Sequence, residues 1–323
     1  MEFFRGVNVN WLGYKWYFLA FSLIFSVAGL VKMGLNWSQT GTPVPLSVDF
    51  RGGTEVQVKF ANHPDSNAIR KAIDAAGISD ARIQNYGEPA ANEVLISMPQ
   101  KSNNSSQDVD GDRAQIVAAL HQHYNNSFDE KNGIKVDSVG ATVGDQLKSQ
   151  AARAVLWSML GMLVYLWFRF QFIYGVAAVV ACFHDTLITV GAFALTGREI
   201  SLTVIAAILT LVGYSMNDTI VVFDRIRENL HLSRREPLSD LVNRSINQTL
   251  SRTVLTSGLT FVTVLSLFIF GGEVLSGFSF ALVVGILIGT YSSIAVAAPM
   301  LVAWQEWRAG STQAASLPAA RRK

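Results

Sequence analysis

The chain has 323 residues, 50% of them hydrophobic and only 15% charged, against about 25% charged in a typical soluble domain. Its apolar residues fall in long runs, which indicates an integral membrane protein. A net charge of +2 gives no basis for nucleic-acid binding, and one cysteine, Cys182, excludes an internal disulfide and argues against a thiolate metal site.

The first predicted span is Tyr17–Leu35. No small-x-small cleavage site follows it, so it reads as a retained helix and not as a signal peptide. Residues 37–149 are polar and should fold separately. Within them, Thr54–Phe60 alternates like a strand. Asp65 or Ser66 can cap a helix running to Ala76, with Gly77 as its stop. Arg82–Tyr86 and Glu93–Met98 read as strands. Lys101–Asp112 is a Ser/Asn/Asp-rich loop, Asp112–Tyr124 has helical spacing, and Ile134–Val143 is a last strand. The order β-α-β-β-α-β predicts a ferredoxin-like α+β domain.

Five more spans follow: Ala152–Phe168, Ile173–Leu195, Ser201–Phe223, Thr253–Phe270 and Phe278–Ala303. Each approaches the length that crosses a ~30 Å core at ~1.5 Å per residue. The expected units are 1–36 (N-terminal segment and first span), 37–149 (exterior domain), 150–304 (a five-span bundle with a loop at 224–252) and 305–323 (tail).

Arg5, Lys15, Arg169, Arg225, Arg227, Arg234, Arg235, Arg244, Arg252, Arg308, Arg321, Arg322 and Lys323 fall on one side of these spans. The short loops opposite hold Arg198. This bias puts both termini in the cytoplasm and the polar domain outside. In the loop Asp224–Arg252, Leu238, Leu241, Val242 and Ile246 form an apolar stripe, expected either along membrane lipid or against the bundle. No internal repeat is visible, so the six spans are expected to be half of a transporter.

Asp218 lies inside the fourth span, where a charge costs about 2.5–3.5 kcal/mol on insertion scales. Tyr214, Ser215 and Asp218 share a helical face, with Asn217 beside them. The fifth span carries a polar stripe of Gln248, Arg252, Thr256, Thr260 and Thr263. An Asp218–Arg252 pair that opens and closes with protonation of the acid is the expected site, with Asn217 and Thr256 beside it; interhelical glue and a snorkelling arginine are the plainer alternatives. His184 and Asp185 form a second intramembrane cluster. As helix neighbours they point about 100° apart, so they are not expected to face one target. No metal-ligand spacing appears. Ala281, Gly285 and Gly289 predict a close-packing face. In Ser47–Val56 (SVDFRGGTEV), Gly52 and Gly53 allow a tight backbone, and Asp49 and Arg51 could pin the first span to the domain.

These residues, in this order, resemble the SecF family of the bacterial Sec translocase. The matching pieces are SVDFRGGTEV at 47–56, the His184–Asp185 pair, VGYSMNDTIVVFDRIREN at 212–229 and INQTLSRTVLTS at 246–257. The family motif often has Thr where Arg51 stands. The resemblance covers nearly the whole chain. It implies a SecD partner supplying a second six-span half, and association with the SecYEG channel and YajC in the inner membrane. It further implies assistance to late export of unfolded polypeptide by the proton-motive force, without ATP hydrolysis or a cofactor. The family's intramembrane Asp and Arg fall on Asp218 and Arg252. Half of a small-molecule exporter and a non-transporting scaffold are the alternatives. No nucleophile–base set points to an enzyme.

Overall fold

The structure, a computed structural model, describes residues 8–78, 81–86, 92–99, 109–124, 126–129, 133–170, 172–233, 236–304 and 307. Six long helices form the bundle: α1 (Lys15–Thr40), then, after the domain, α5 (Ala141–Arg169), α6 (Phe172–Thr196), α7 (Leu202–Leu232), α8 (Leu238–Phe270) and α9 (Gly272–Ser292). A π turn, Ser293–Ala297, interrupts the last helix before it continues to Trp304. All six are long and apolar enough to cross a membrane. The apolar windows of α6, α7 and α9 are 50%, 50% and 56% buried, whereas those of α1 and α5 are only 11% and 6% buried. The first three therefore make the core, and α1 and α5 lie at its rim.

The helices overrun the predicted spans at several ends. At 224–252, where the charged pattern reads as helical and Arg225, Arg227 and Glu228 extend the fourth helix, α7 continues to Leu232 and α8 begins at Leu238. The stripe Leu241, Val242 and Ile246 is fully buried in the bundle core with Phe223 and Ile226, not laid along a membrane surface. Polar contacts complete this joint. Asn229 Nδ2 donates to Ser245 Oγ and Gln248 Oε1, both at 2.8 Å. The N-terminal segment clasps the same extension: Trp11 N donates to Asn243 Oδ1 at 2.7 Å, and Val9 N to Asn247 Oδ1 at 3.1 Å.

The polar domain is a four-stranded antiparallel sheet of β1 (Gly53–Lys59), β2 (Arg82–Tyr86), β3 (Glu93–Pro99) and β4 (Ile134–Val139), in the order β2-β3-β1-β4. Helices α3 (Ser66–Ala75) and α4 (Val109–His123) cover one face. Val56, Val58, Ile69, Ile73, Val94, Ile96, Ile116 and Leu120 form its core, all fully buried. This is the ferredoxin-like plan expected from the element order. Asp65 caps α3 by accepting from Asn67 N at 2.9 Å, and Gly77 ends it at φ 75°. Two boundaries moved. α4 starts at Val109, inside the expected loop, with the Asp112 carboxylate accepting from Thr54 Oγ1 of β1 at 2.7 Å; most of Lys101–Asp112 lies outside the described residues. β4 stops at Val139, since 141–143 already belong to α5.

A short helix, α2 (Val48–Arg51), precedes Gly52 and Gly53, whose φ values of 70° and 133° favour glycine. This turn leads the chain from the bundle into β1. Close against it, a Cβ at Gly144 would stand 3.1 Å from Gly52 N and Phe50 C, so α5 begins almost on the turn's backbone.

Candidate functional site

Along α7, Leu211, Val212, Ser215, Met216, Asp218, Thr219, Val222 and Phe223 are buried, so helical periodicity turns Asp218 inward. Close approach by α9 makes this face tight. A Cβ on Gly285 would lie 2.4 Å from Leu211 Cδ2, and one on Gly289 would lie 3.1 Å from Ser215 Cβ. The predicted small-residue face of α9 thus packs on α7, with Ala281 fully buried beside it.

Asp218 is 2% exposed and its Oδ2 accepts a 2.6 Å hydrogen bond from Ser257 Oγ of α8. No ion pair joins it to Arg252. Arg252, Thr256 and Asn217 are exposed on the bundle surface, although the Asn217 amide reaches Asp218 as a side-chain hydrogen-bond donor and Arg252 remains within electrostatic reach. The expected closed Asp218–Arg252 contact is therefore replaced here by a serine contact. The physical reason is rotation on α8. Ser245, Thr249, Thr253 and Ser257 also recur every four residues, and this hydroxyl row is the buried one. Gln248 and Arg252, with their longer side chains, and Thr256 occupy the next row outward and are exposed. The signal for Ser257 was in the sequence, in that second four-residue repeat, but the charged row drew the prediction.

His184 and Asp185 touch each other but do not share a target: of the two, Asp185 makes the hydrogen bonds to the neighbouring helices. His184 Nδ1 lies 3.0 Å from Asp185 Oδ1. Asp185 Oδ2 accepts from Ser215 Oγ of α7 at 2.5 Å and from Ser292 Oγ of α9 at 2.7 Å. Asp185 thus ties together three core helices while its side chain is 1% exposed. Ser292 was not foreseen; nothing in its local sequence marks it.

On the domain side, Asp49 Oδ2 accepts from Leu202 N at 2.9 Å and from Ser47 Oγ at 3.1 Å. It holds the start of α7, where a carboxylate complements the helix dipole, and not the first span as expected. Arg51 Nη2 donates to Thr42 Oγ1 at 3.3 Å, just beyond α1. Leu46 and Ile200 form a parallel bridge, reinforced by Ser47 N to Ile200 O at 3.1 Å. Arg82 of β2 pairs with Glu199 at 3.0 Å. The loop between α6 and α7 is therefore the seat of the domain. Burial raises the Glu199 carboxyl above the usual range, with Arg82 and Arg51 opposing. Burial, and then Glu199, push Glu55 up to about 7, while the Ser97 hydroxyl opposes. Asp137 stands directly across the β1–β4 ladder from Glu55 and adds like-charge repulsion. A cavity of about 880 Å³ opens at this seat, lined by Lys32, Arg51, Arg82 and Glu199 among others.

The family described as "Protein export membrane protein SecD/SecF, C-terminal" matches residues 119–307, and the "SecD/SecF GG Motif" matches residues 37–62. A protein translocase subunit SecF of Koribacter versatilis is 54% identical, over 98% of this chain and 96% of that relative. The SecF of Desulfurispirillum indicum is 40% identical over 93% of each. The crystal structure of SecDF, a translocon-associated membrane protein from Thermus thermophilus, superposes with a TM-score of 0.79 at 35% identity. It covers 93% of this chain, which spans 39% of that SecDF chain.

Proposed function

This chain belongs to the SecF family of protein translocase subunits, and on that premise we propose that it couples the proton-motive force to protein export. It sits as a multi-pass protein in the inner membrane, with both termini cytoplasmic and the ferredoxin-like domain periplasmic, as the Lys/Arg bias supports. SecD supplies the second half. The exposed row Asn217, Arg252 and Thr256 and the thinly buried α1 and α5 support a partner face beside membrane lipid. SecYEG and YajC are the further partners, and the substrate is an unfolded exported polypeptide. No ATP hydrolysis is required.

One observation carries this reading. A carboxylate, Asp218, lies 2% exposed in a membrane helix, held by the Ser257 hydroxyl with the Asn217 side chain beside it, and within electrostatic reach of Arg252. Protonation would remove its charge and change its claim on Ser257 and Arg252, so the two charge states favour different helix positions. One proton crossing 100 mV releases about 2.3 kcal/mol, and each pH unit adds about 1.4 kcal/mol. That suffices to bias a two-state movement of the bundle and its seated domain. It suits a ratchet on an unfolded chain.

The test is export into membrane vesicles carrying this chain with SecD, under an imposed proton gradient. Asp218→Asn should abolish the gradient-dependent component. Export that stays fully gradient-dependent in the variant would overturn the reading.

A further inference from the structure

The His184–Asp185 pair has geometry beyond structural glue. A carboxylate only accepts hydrogen bonds, so Ser215, Ser292 and His184 all donate to Asp185. That assigns the ring proton of neutral His184 to Nδ1 and leaves Nε2 as a lone-pair acceptor. Nε2 is buried and has no hydrogen-bond partner among the described residues. A base aimed by a carboxylate, which is itself fixed by two hydroxyls, therefore stands near the middle of α6. Further, α9 leaves α-helical geometry at Ser293–Ala297, directly after Ser292, and single π turns inside helices occur frequently at functional sites.

We propose that His184 is a second intramembrane proton-binding site, with Asp185 as its positioning residue. Nε2 takes up the proton, Nδ1 keeps its own, and the pair passes from one net negative charge to neutral. Ser215 lies three residues before Asp218 on α7, so the hydrogen bonds of both sites act on one helix turn. The titratable groups on the helices packed against α6 include Tyr214 and Asp218 on α7, Tyr291 on α9, Lys15, Tyr17 and Lys32 on α1, and Asp145, Lys148, Arg153, Tyr165 and Arg169 on α5; Asp224, Arg225, Arg227, Glu228 and His231 lie on the far end of α7. Cys182 is buried on α6 itself. The link to export rests on the proton-coupled reading above; proton binding at His184 does not.

The test is ¹⁵N NMR of histidine-labelled full chain with SecD in lipid nanodiscs, from about pH 5 to about pH 9, with His184→Gln assigning the resonance. The expected result is a neutral ring protonated at Nδ1 that gains a proton at Nε2 as pH falls. Asp185→Asn should lose the Nδ1-protonated neutral form, and Asp218→Asn should displace the titration curve. A neutral ring protonated at Nε2, or a ring unchanged across the range, would overturn the site. A curve unmoved in Asp218→Asn would overturn the coupling. If His184 titrates while Asp218→Asn leaves export gradient-dependent, the export reading fails and the site stands.

Discussion

Ser257 of α8 donates a 2.6 Å hydrogen bond to Asp218 of α7, and this serine holds the place expected for Arg252. Losing the donor leaves a buried carboxylate short of its side-chain partner, at a cost of about 1–3 kcal/mol. Ser257→Ala should therefore lower thermal stability in detergent by that amount, and Ser257→Thr by less, since it keeps a hydroxyl. Adding Ser257→Ala to Asp218→Leu should cost much less than adding it to the parent chain, because contacting residues couple. Equal costs in both backgrounds would show that the bond contributes nothing.

The α7–α9 contact gives a second, steric prediction. Gly285→Ala would put a Cβ 2.4 Å from Leu211 Cδ2, an overpacking worth about 1–3 kcal/mol. The obstacle is a side chain, so Leu211→Ala should rescue much of the loss. Gly29→Ala differs in kind: its Cβ would meet the Gly191 backbone at 2.9 Å. No side-chain truncation can relieve that contact. Thermal unfolding of the single and paired variants checks both statements.

Asp49 reaches from the glycine turn to the first amide of α7. Asp49→Ala should weaken this end by about 0.5–2 kcal/mol, as loss of a helix cap does. Asp49→Asn, which keeps an acceptor, should cost less. Hydrogen exchange in the peptide containing Leu202 is the measurement, with faster exchange expected in the order Ala, Asn, parent.

Glu55 sets a pH dependence. Its folded value of about 7 lies above the ordinary carboxyl value of 4.5, so the folded domain binds the proton more tightly than the unfolded chain. The resulting stability is present below about pH 4.5 and is lost as pH rises through about 7. Glu55→Gln should flatten the curve over that window. At pH 8 it should stabilise the domain relative to the parent by roughly 1–2 kcal/mol, after discounting for solvent screening. Chemical unfolding across this pH range would show it; parallel curves for the two proteins would count against it.

The sequence by itself determined the elements with strong local causes. Six runs of apolar residues had to become membrane helices, because a continuous apolar run satisfies its own backbone in hydrocarbon only as a helix, whereas barrel strands alternate apolar and polar residues. Alternation and capping at Thr54–Phe60 and Asp65 marked the domain's strand and helix, and the cost of a charge in an apolar run marked Asp218 and Asp185. Only the tertiary structure decided which row of α8 turns inward, that His184 folds back onto Asp185, and that Asp49 serves α7. Local periodicity gives a helix's faces but not its rotation against a neighbour. Two adjacent four-residue rows, Thr253–Ser257 and Arg252–Thr256, are equivalent until packing buries the small hydroxyls and leaves the long charged side chain at the surface. Ser292 makes the same point from afar: it is 107 residues from the Asp185 it holds, a separation that only the folded bundle closes.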